Sequence, residues 1–427
     1  MKDINVGLLG CGNVGSALVQ LVNAEREAIA ARTGIRLNIT KVAVRSLSRN
    51  RGITFADGVL TRDPADVVAD PSIDVIVEVM GGIEPARELI AAALKGGKPV
   101  VTANKELLAN VGAELYGIAD EAGVDLLFEA AVAGGIPLMR PLRESLVGEP
   151  IWRVMGIVNG TTNYILTRMT EGGVSYNEAL VEAQGLGFAE RDPTADVEGY
   201  DAGAKAAIIA MIAFGAKVVA GDVYHEGISN VTSADIAMAK RMGLVIKLLA
   251  ICEFDRATDE ISVRVHPALV PISHPLASVS GSFNAVFIEG GAVGSLMMYG
   301  RGAGGLPTAS AVLGDLIDAA SNLSRETHGK IGSFAKAKIR PIDDTSSEFA
   351  LTLDVLDRPG VLHAVTGAFA AHQVSIRTAE QEGLGDDARL VFITHAARES
   401  DVQATLHDLR AMDVVRRVGS VLRVIGH

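Results

Sequence analysis

The sequence predicts an α/β protein: a doubly wound parallel sheet, an α+β unit after it, and a small ferredoxin-like βαββαβ unit at the end. Three observations predict this. The first third alternates continuous apolar strands with helix-length stretches, the pattern of a parallel sheet covered on both faces. A glycine-rich turn, Gly10-Cys11-Gly12-Asn13-Val14-Gly15, closes the first strand and opens the first helix. After residue 347 the order becomes strand, helix, two strands, helix, strand.

Taken in order, INVGLLG (4–10) is the first strand and about Val14 to Ala31 the first helix. RLNITKVAVR (36–45), DVIVEVMG (74–81), KPVVTAN (98–104) and VDLLFEAAV (124–132) read as further strands, with helices over Glu84–Lys95 and Ala113–Glu121 between them. This defines a Rossmann-type dinucleotide-binding domain over residues 1–135. Residues 136–307 read as an α+β substrate unit. Its strands are Trp152–Asn159, Ile261–Val270 and Asn284–Glu289, and its helices Tyr176–Gln184, Gly203–Ala216 and Thr232–Ile246. Residues 308–335, helical over Ser310–Ser324, return to the first domain. The charged, serine-bearing stretch 336–347 reads as a linker. In the last unit, 348–427, Pro359-Gly360 turns the chain between the strand FALTLDVLD (349–357) and an amphipathic helix over Val361–His372.

The 427 residues suit two or three domains, and 48% hydrophobic with 21% charged residues is ordinary globular composition. A net charge of −12 without a basic stripe argues against nucleic acid. Cys11 and Cys252 are far apart, which excludes a disulfide framework and a cysteine-rich metal site. A strand starts almost at the first residue, so no signal peptide is expected. The chain also holds no apolar run of the roughly 20 residues that a membrane span needs. The expected location is the cytoplasm, with no membrane partner.

In the glycine-rich turn, Gly10 permits the tight turn, Gly12 lets the backbone approach a pyrophosphate, and Gly15 allows close helix–strand contact. The following helix N-terminus, with Asn13 and Val14, supplies amide donors and a favourable dipole. Cys11 fits there as a small filler. The second strand ends at Arg45, with Arg49 and Arg51 close behind, where an NAD site would favour Asp or Glu; arginine suits the 2′-phosphate of NADP. Solvated arginines are the alternative. Lys105, after Thr102-Ala103-Asn104 at a strand's carboxyl edge, could meet cofactor or substrate, or stand exposed on a loop.

The run Ala183–Lys205, AQGLGFAERDPTADVEGYDAGAK, carries Glu190, Asp192, Asp196, Glu198 and Asp201, then feeds the all-apolar AAIIAMIAFGA. A helix apolar on all sides is buried. Asp201 and Lys205, at i and i+4, share one face of its first turns. A lysine held there among carboxylates is a candidate proton-transfer group; a structural Asp–Lys pair is the alternative. Around Glu129-Ala-Ala-Val132-Ala-Gly134-Gly-Ile136, one carboxylate and free carbonyls would suit a hard cation, or an inter-domain hinge. His225, His266 and His274 are scattered, without ligand spacing.

Together Gly10–Gly15, the TANK lysine Lys105, the Ala183–Lys205 run and Gly300-Arg-Gly-Ala-Gly-Gly-Leu-Pro-Thr-Ala309 resemble homoserine dehydrogenases over nearly the whole chain. Asp357-Arg-Pro-Gly-Val-Leu362 makes the last unit similar to an ACT regulatory domain. The resemblance implies NAD(P)-dependent, reversible reduction of L-aspartate 4-semialdehyde to L-homoserine, in threonine, methionine and isoleucine biosynthesis. It implies Lys205 as proton donor, Glu190 and Asp201 as substrate holders, and Lys105 at the cofactor and reacting site. Gly187 and Gly302–Gly305 would line the cofactor. Glu129 with the carbonyls of Val132, Gly134 and Ile136 would bind sodium, and the assembly would be a homodimer or homotetramer. L-threonine is the implied feedback effector, read through the ACT unit; a ligand-free oligomerisation module is the alternative there. Two other readings stay open for the whole chain: a different small-molecule dehydrogenase, or an amino-acid sensor on an inactive dehydrogenase fold. The presence of Glu190, Asp201, Lys205 and Lys105 speaks against the second.

Overall fold

The computed structural model describes residues 1–329, 332 and 334–425; the expected spans 308–335 and 348–427 therefore include a few residues outside the described ones. The fold class read from the sequence is the one observed.

The first sheet has six parallel strands in the order Leu60–Thr61, Ile35–Ala43, Lys2–Leu9, Val75–Glu78, Val100–Thr102, Leu126–Leu127. Strand order reverses on either side of Lys2–Leu9, so the carboxyl edge beside Leu9 is the switch point where open α/β sheets bind ligands. Alternation along the strands separates two cores. Val6, Leu8, Val75, Val77 and Val101 pack against the Asn13–Thr33 and Gly305–Ser324 helices. Leu9, Ile76 and Val100 pack toward the Ala86–Lys95 and Lys105–Ala122 helices. The helix at 305–324 thus joins the core of the first sheet.

The second sheet is continuous across the middle and last parts of the chain. Gly294–Arg301, Phe283–Gly290, Ile151–Ile157, Leu244–Asp255 and Glu260–Pro271 are antiparallel neighbours. Glu260–Pro271 then pairs in parallel with Val415–Val424 through Ala268–Arg423 and Leu269–Val424. Ser346–Leu356, Asp387–Thr394 and Ile376–Leu384 complete the sheet, with the Val361–Ala371 and Glu399–Arg410 helices over a core of Leu351, Leu353, Leu390, Phe392, Phe369 and Leu406.

Several expected elements differ. The helix expected over Thr232–Ile246 ends at Arg241, because Gly243 adopts a left-handed φ of +68°, and Leu244–Asp255 is a strand buried in the second sheet. The strand expected over 124–132 is only Leu126–Leu127; a 3-10 turn at Glu129–Ala131 follows, fixed by the Glu129 carboxylate. The helix expected at Ala113–Glu121 starts at Lys105, where the Asn104 side chain caps it by accepting from Leu107 N. Residues 335–345 lie against the middle unit: Ala335 pairs with Ala216, and Arg340 bridges Asp255 and Glu260.

Candidate active site

The glycine-rich turn has the backbone its sequence requires. Gly10 sits at φ +102°, and a Cβ on Gly15 would lie 2.3 Å from the Gly10 carbonyl, so both positions exclude a side chain. A Cβ on Gly12 would meet nothing within 4 Å, and the residue is exposed. Ser16 N donates to Gly12 O, and the buried Cys11 thiol lies beside Ser16. The neighbouring loop is organised by the buried Glu78 carboxylate. It accepts from Met80 N, Gly81 N and the Thr102 hydroxyl.

Two cavities run from this loop. One, of about 440 Å³, reaches from Gly10 and Gly12 to the arginines at 45, 49, 51 and 62. Arg51 is tied to the carbonyls of Cys11, Arg49 and Ser46, whereas Arg45 is exposed. The second, of about 290 Å³, shares Val79, Met80 and Gly81 with the first and is also lined by Val14, Lys105, Gly134, Lys205 and Gly302. The order of charges suits a dinucleotide, with arginines at one end and ammonium groups at the other.

Lys105, Asp201 and Lys205 converge although they come from different elements. Lys105 is the first residue of its helix, placed by the strand Val100–Thr102 and the Asn104 cap. Asp201 lies in the first turn of Tyr200–Phe214, which follows Gly199 at φ +85° and is apolar and buried along Ala206–Met211. Asp201 Oδ1 lies 2.9 Å from Lys105 Nζ, and Oδ2 accepts from Lys205 Nζ at 2.6 Å. Lys205 Nζ also donates to Val158 O at 2.7 Å. An ammonium has three hydrogens, so this pattern leaves one for a ligand. The Lys205 side chain is only 12% exposed.

Burial would raise the Asp201 carboxyl, but Lys205 and Lys105 outweigh it and hold the group below the usual carboxylate range. Asp201 in turn raises Lys105. The neighbouring Asp196 is pushed the other way, up, chiefly by burial. Asn159, just past the strand Ile151–Ile157, joins the two carboxylates: its Nδ2 donates to Asp196 at 2.7 Å and to Asp201 at 2.9 Å. Its Oδ1 caps the Gly160–Gly172 helix at Thr162 N.

Glu190 and Gly187 lie elsewhere. Both are exposed on the 186–191 loop, which is held through the Phe188 and Glu190 carbonyls, and neither lines the two cavities. Gly134, at φ +54°, approaches so closely that a Cβ would lie 2.3 Å from the Gly302 carbonyl. The Glu129 carboxylate accepts from the amides of Leu138, Met139 and Arg140, so its oxygens are already engaged. Among the described residues the carbonyls of Val132, Gly134 and Ile136 accept no hydrogen bond. The donor set that fits a hard cation is thus main-chain carbonyl rather than the Glu129 side chain.

Sequence reasoning gave no role to Asn159, Asp196, the Val158 carbonyl or Arg62. Asp196 stood in the acidic run and Arg62 near other arginines, but Asn159 meets its partners across 37 and 42 residues, a distance no local spacing signals.

With this geometry in place, the chain can be set beside known proteins. Residues 137–317 match the family described as homoserine dehydrogenase, 10–129 its NAD-binding domain, and 349–413 the ACT domain. The chain belongs to the homoserine dehydrogenase family. It is an oxidoreductase with an NAD(P)-binding domain and a C-terminal ACT domain. The homoserine dehydrogenase of Mycobacterium tuberculosis is 49% identical over 435 aligned residues, covering 100% of this chain and 98% of that protein. That of Corynebacterium glutamicum is 49% identical, covering 99% and 95%. Among solved structures, a homoserine dehydrogenase from Thiobacillus denitrificans has a TM-score of 0.94 at 40% identity, covering 100% of this chain and 99% of that one. A hyperthermophilic archaeal homoserine dehydrogenase in complex with NADPH has a TM-score of 0.64 at 29% identity, covering 75% and 98%.

Proposed function

We propose that this chain interconverts L-aspartate 4-semialdehyde and L-homoserine, with Lys205 as the proton donor to the oxygen. The observation that carries the reading is the Lys105–Asp201–Lys205 cluster, opening into the same cavity as Val14 and Gly302 of the dinucleotide site. A bound nicotinamide dinucleotide supplies or accepts the hydride. Lys205, fixed by Val158 O and Asp201, offers its remaining N–H to the carbonyl oxygen. It stabilises the charge that develops there and gives up a proton to it. Asp201 pairs with both lysines, aims them and raises Lys105. Lys105, more exposed, is the second cation at the reacting end. The substrate's α-ammonium would meet a carboxylate; Asp196, joined to Asp201 through Asn159, is a second candidate beside Glu190, whose exposed loop would have to move inward.

Arg45, Arg49, Arg51 and Arg62 favour a 2′-phosphate and hence NADP. The free carbonyls of Val132, Gly134 and Ile136 support a sodium ion that would stiffen the loop against Gly302. The edge strand Gly294–Arg301 exposes Met297 and Tyr299, which supports pairing with a second copy in a homodimer or homotetramer. The ACT unit supports feedback by an amino acid, L-threonine in our reading. The test is oxidation of L-homoserine followed at the nicotinamide absorbance band, with NADP, then NAD, then L-threonine added. Faster turnover with NADP supports the reading, and no turnover with either nucleotide removes it.

A further inference from the structure

The strand Val75–Glu78 ends on a carboxylate that is fully buried. Glu78 Oε1 accepts from Met80 N at 2.7 Å and Gly81 N at 3.1 Å, and Oε2 from the Thr102 hydroxyl at 2.6 Å. The Thr102 oxygen itself accepts from Asn104 N at 3.1 Å, which leaves its hydrogen for Glu78. Asn104 completes the ring: Nδ2 donates to Gly82 O at 2.6 Å, and Oδ1 caps the helix that begins at Lys105. The partners of Glu78 are thus neutral, and among the described residues it forms no ion pair. Hydrogen bonds satisfy its oxygens but leave its charge unmatched.

The loop it holds is the wall common to both cavities, through Val79, Met80 and Gly81. That loop is pressed against the glycine-rich turn. A Cβ on Gly10 would lie 2.9 Å from Val79 O, and Val79 N donates to Leu9 O at 2.9 Å. The other charges that face the cavities stand at their two ends. Lys105 and Lys205 share Asp201 at one end. At the other are the four arginines and Glu84, which is paired with Arg87. An oxidised nicotinamide ring is a cation and a reduced one is neutral, so the two lysines alone would disfavour the oxidised form. We infer that the Glu78 carboxylate is the counter-charge to the oxidised ring and sets the affinity for NADP⁺ relative to NADPH. This rests on the proposed reaction's placement of the nicotinamide beside Lys105 and Lys205. A purely structural Glu78 behaves differently, because a loosened loop weakens both forms of the nucleotide alike.

Calorimetric dissociation constants of NADP⁺ and NADPH, taken on the full chain without substrate, test this in the unmodified protein, Glu78→Gln and Thr102→Val. Glutamine keeps the shape and an acceptor oxygen but carries no charge. Valine at 102 withdraws the hydroxyl and leaves the carboxylate in place. The expected result is that Glu78→Gln weakens NADP⁺ about tenfold more than NADPH, whereas Thr102→Val leaves their ratio within about twofold. An unchanged ratio in Glu78→Gln, with both affinities lowered together, overturns the inference. Should Glu78→Gln fail to fold by circular dichroism, the unmodified protein decides. There the cationic ring of NADP⁺ must add affinity over 2′-phospho-ADP-ribose, which lacks it; a ring that adds none overturns the inference as well. A chain that binds neither nucleotide would overturn both this role and the proposed reaction. One that shows the shifted ratio but never oxidises L-homoserine would strike at the reaction alone and leave the role of Glu78 standing.

Discussion

Asn159 does two jobs with one side chain: its oxygen caps a helix while its amide hydrogens hold Asp196 and Asp201 together. Asn159→Ser keeps a capping oxygen but withdraws the bridge. Both carboxyls lose a hydrogen bond to their charged form, so their pKa values rise. We expect the acid limb of the pH–rate profile to move to higher pH and kcat to fall about tenfold to a hundredfold, within the range of general acid–base effects. An unmoved acid limb would show that the bridge is only structural. Gly134→Ala should fail differently. The clash with Gly302 and the left-handed φ disturb the cofactor end, so KM for the nucleotide rises while the circular dichroism spectrum is retained. At this scale the sequence was informative where spacing was local. Asp201 and Lys205 are one helical turn apart, and the glycines at 10, 12 and 15 follow a motif with a mechanical reason. Lys105 could be placed at a strand edge, but its ion pair with Asp201 could not. Glu190, taken as a substrate holder, lies on an exposed loop in this conformation.

At the scale of elements, the strand Leu244–Asp255 was hidden by its own lysine. The helix expected from Thr232 ran on to Ile246, and Lys247 then interrupts the apolar run, yet Lys247 is buried and donates to Asn163 Oδ1 and Val279 O. Tertiary burial overrode local pattern. Burial pushes the Lys247 ammonium down to about 8, against roughly 10.4 in an unfolded chain. Between those pH values the unfolded state binds more protons, so this residue makes stability rise with pH; below about 8 both states are charged and the full burial penalty applies. Relative to Lys247→Met, the unmodified protein should gain about 2 kcal/mol in chemical denaturation between pH 8 and 10. Parallel curves for the two proteins would show that Lys247 does not titrate there. The alternating strands of the first sheet and the six elements of the ACT unit were legible because each has its own period and its own turn residues. The short strand Leu60–Thr61 and the edge strand Gly294–Arg301 were not, being too short or too rich in glycine to show one.

At the scale of the whole molecule, Arg423 joins the units. It is 4% exposed, pairs with Glu226 of the middle unit and Glu399 of the ACT unit, and lies over the rings of Tyr224 and Phe349. Removing one member of a buried charge network leaves the others uncompensated. Arg423→Met should therefore cost about 3–5 kcal/mol in thermal or chemical denaturation and loosen the response to L-threonine. A variant with unaltered stability would mean that the shared sheet alone carries the junction. Three units in order could be read from the chain. Their fusion through one eleven-stranded sheet could not, because parallel pairing of Val415–Val424 with Glu260–Pro271 spans a separation that no local pattern reports. The central claim, however, rests on one amine. Its most direct test is the turnover of Lys205→Ala beside nucleotide binding by the same variant. The account predicts kcat lowered by about 10²–10⁴ with NADPH affinity within a few-fold of the unmodified protein. Near-normal turnover would contradict it.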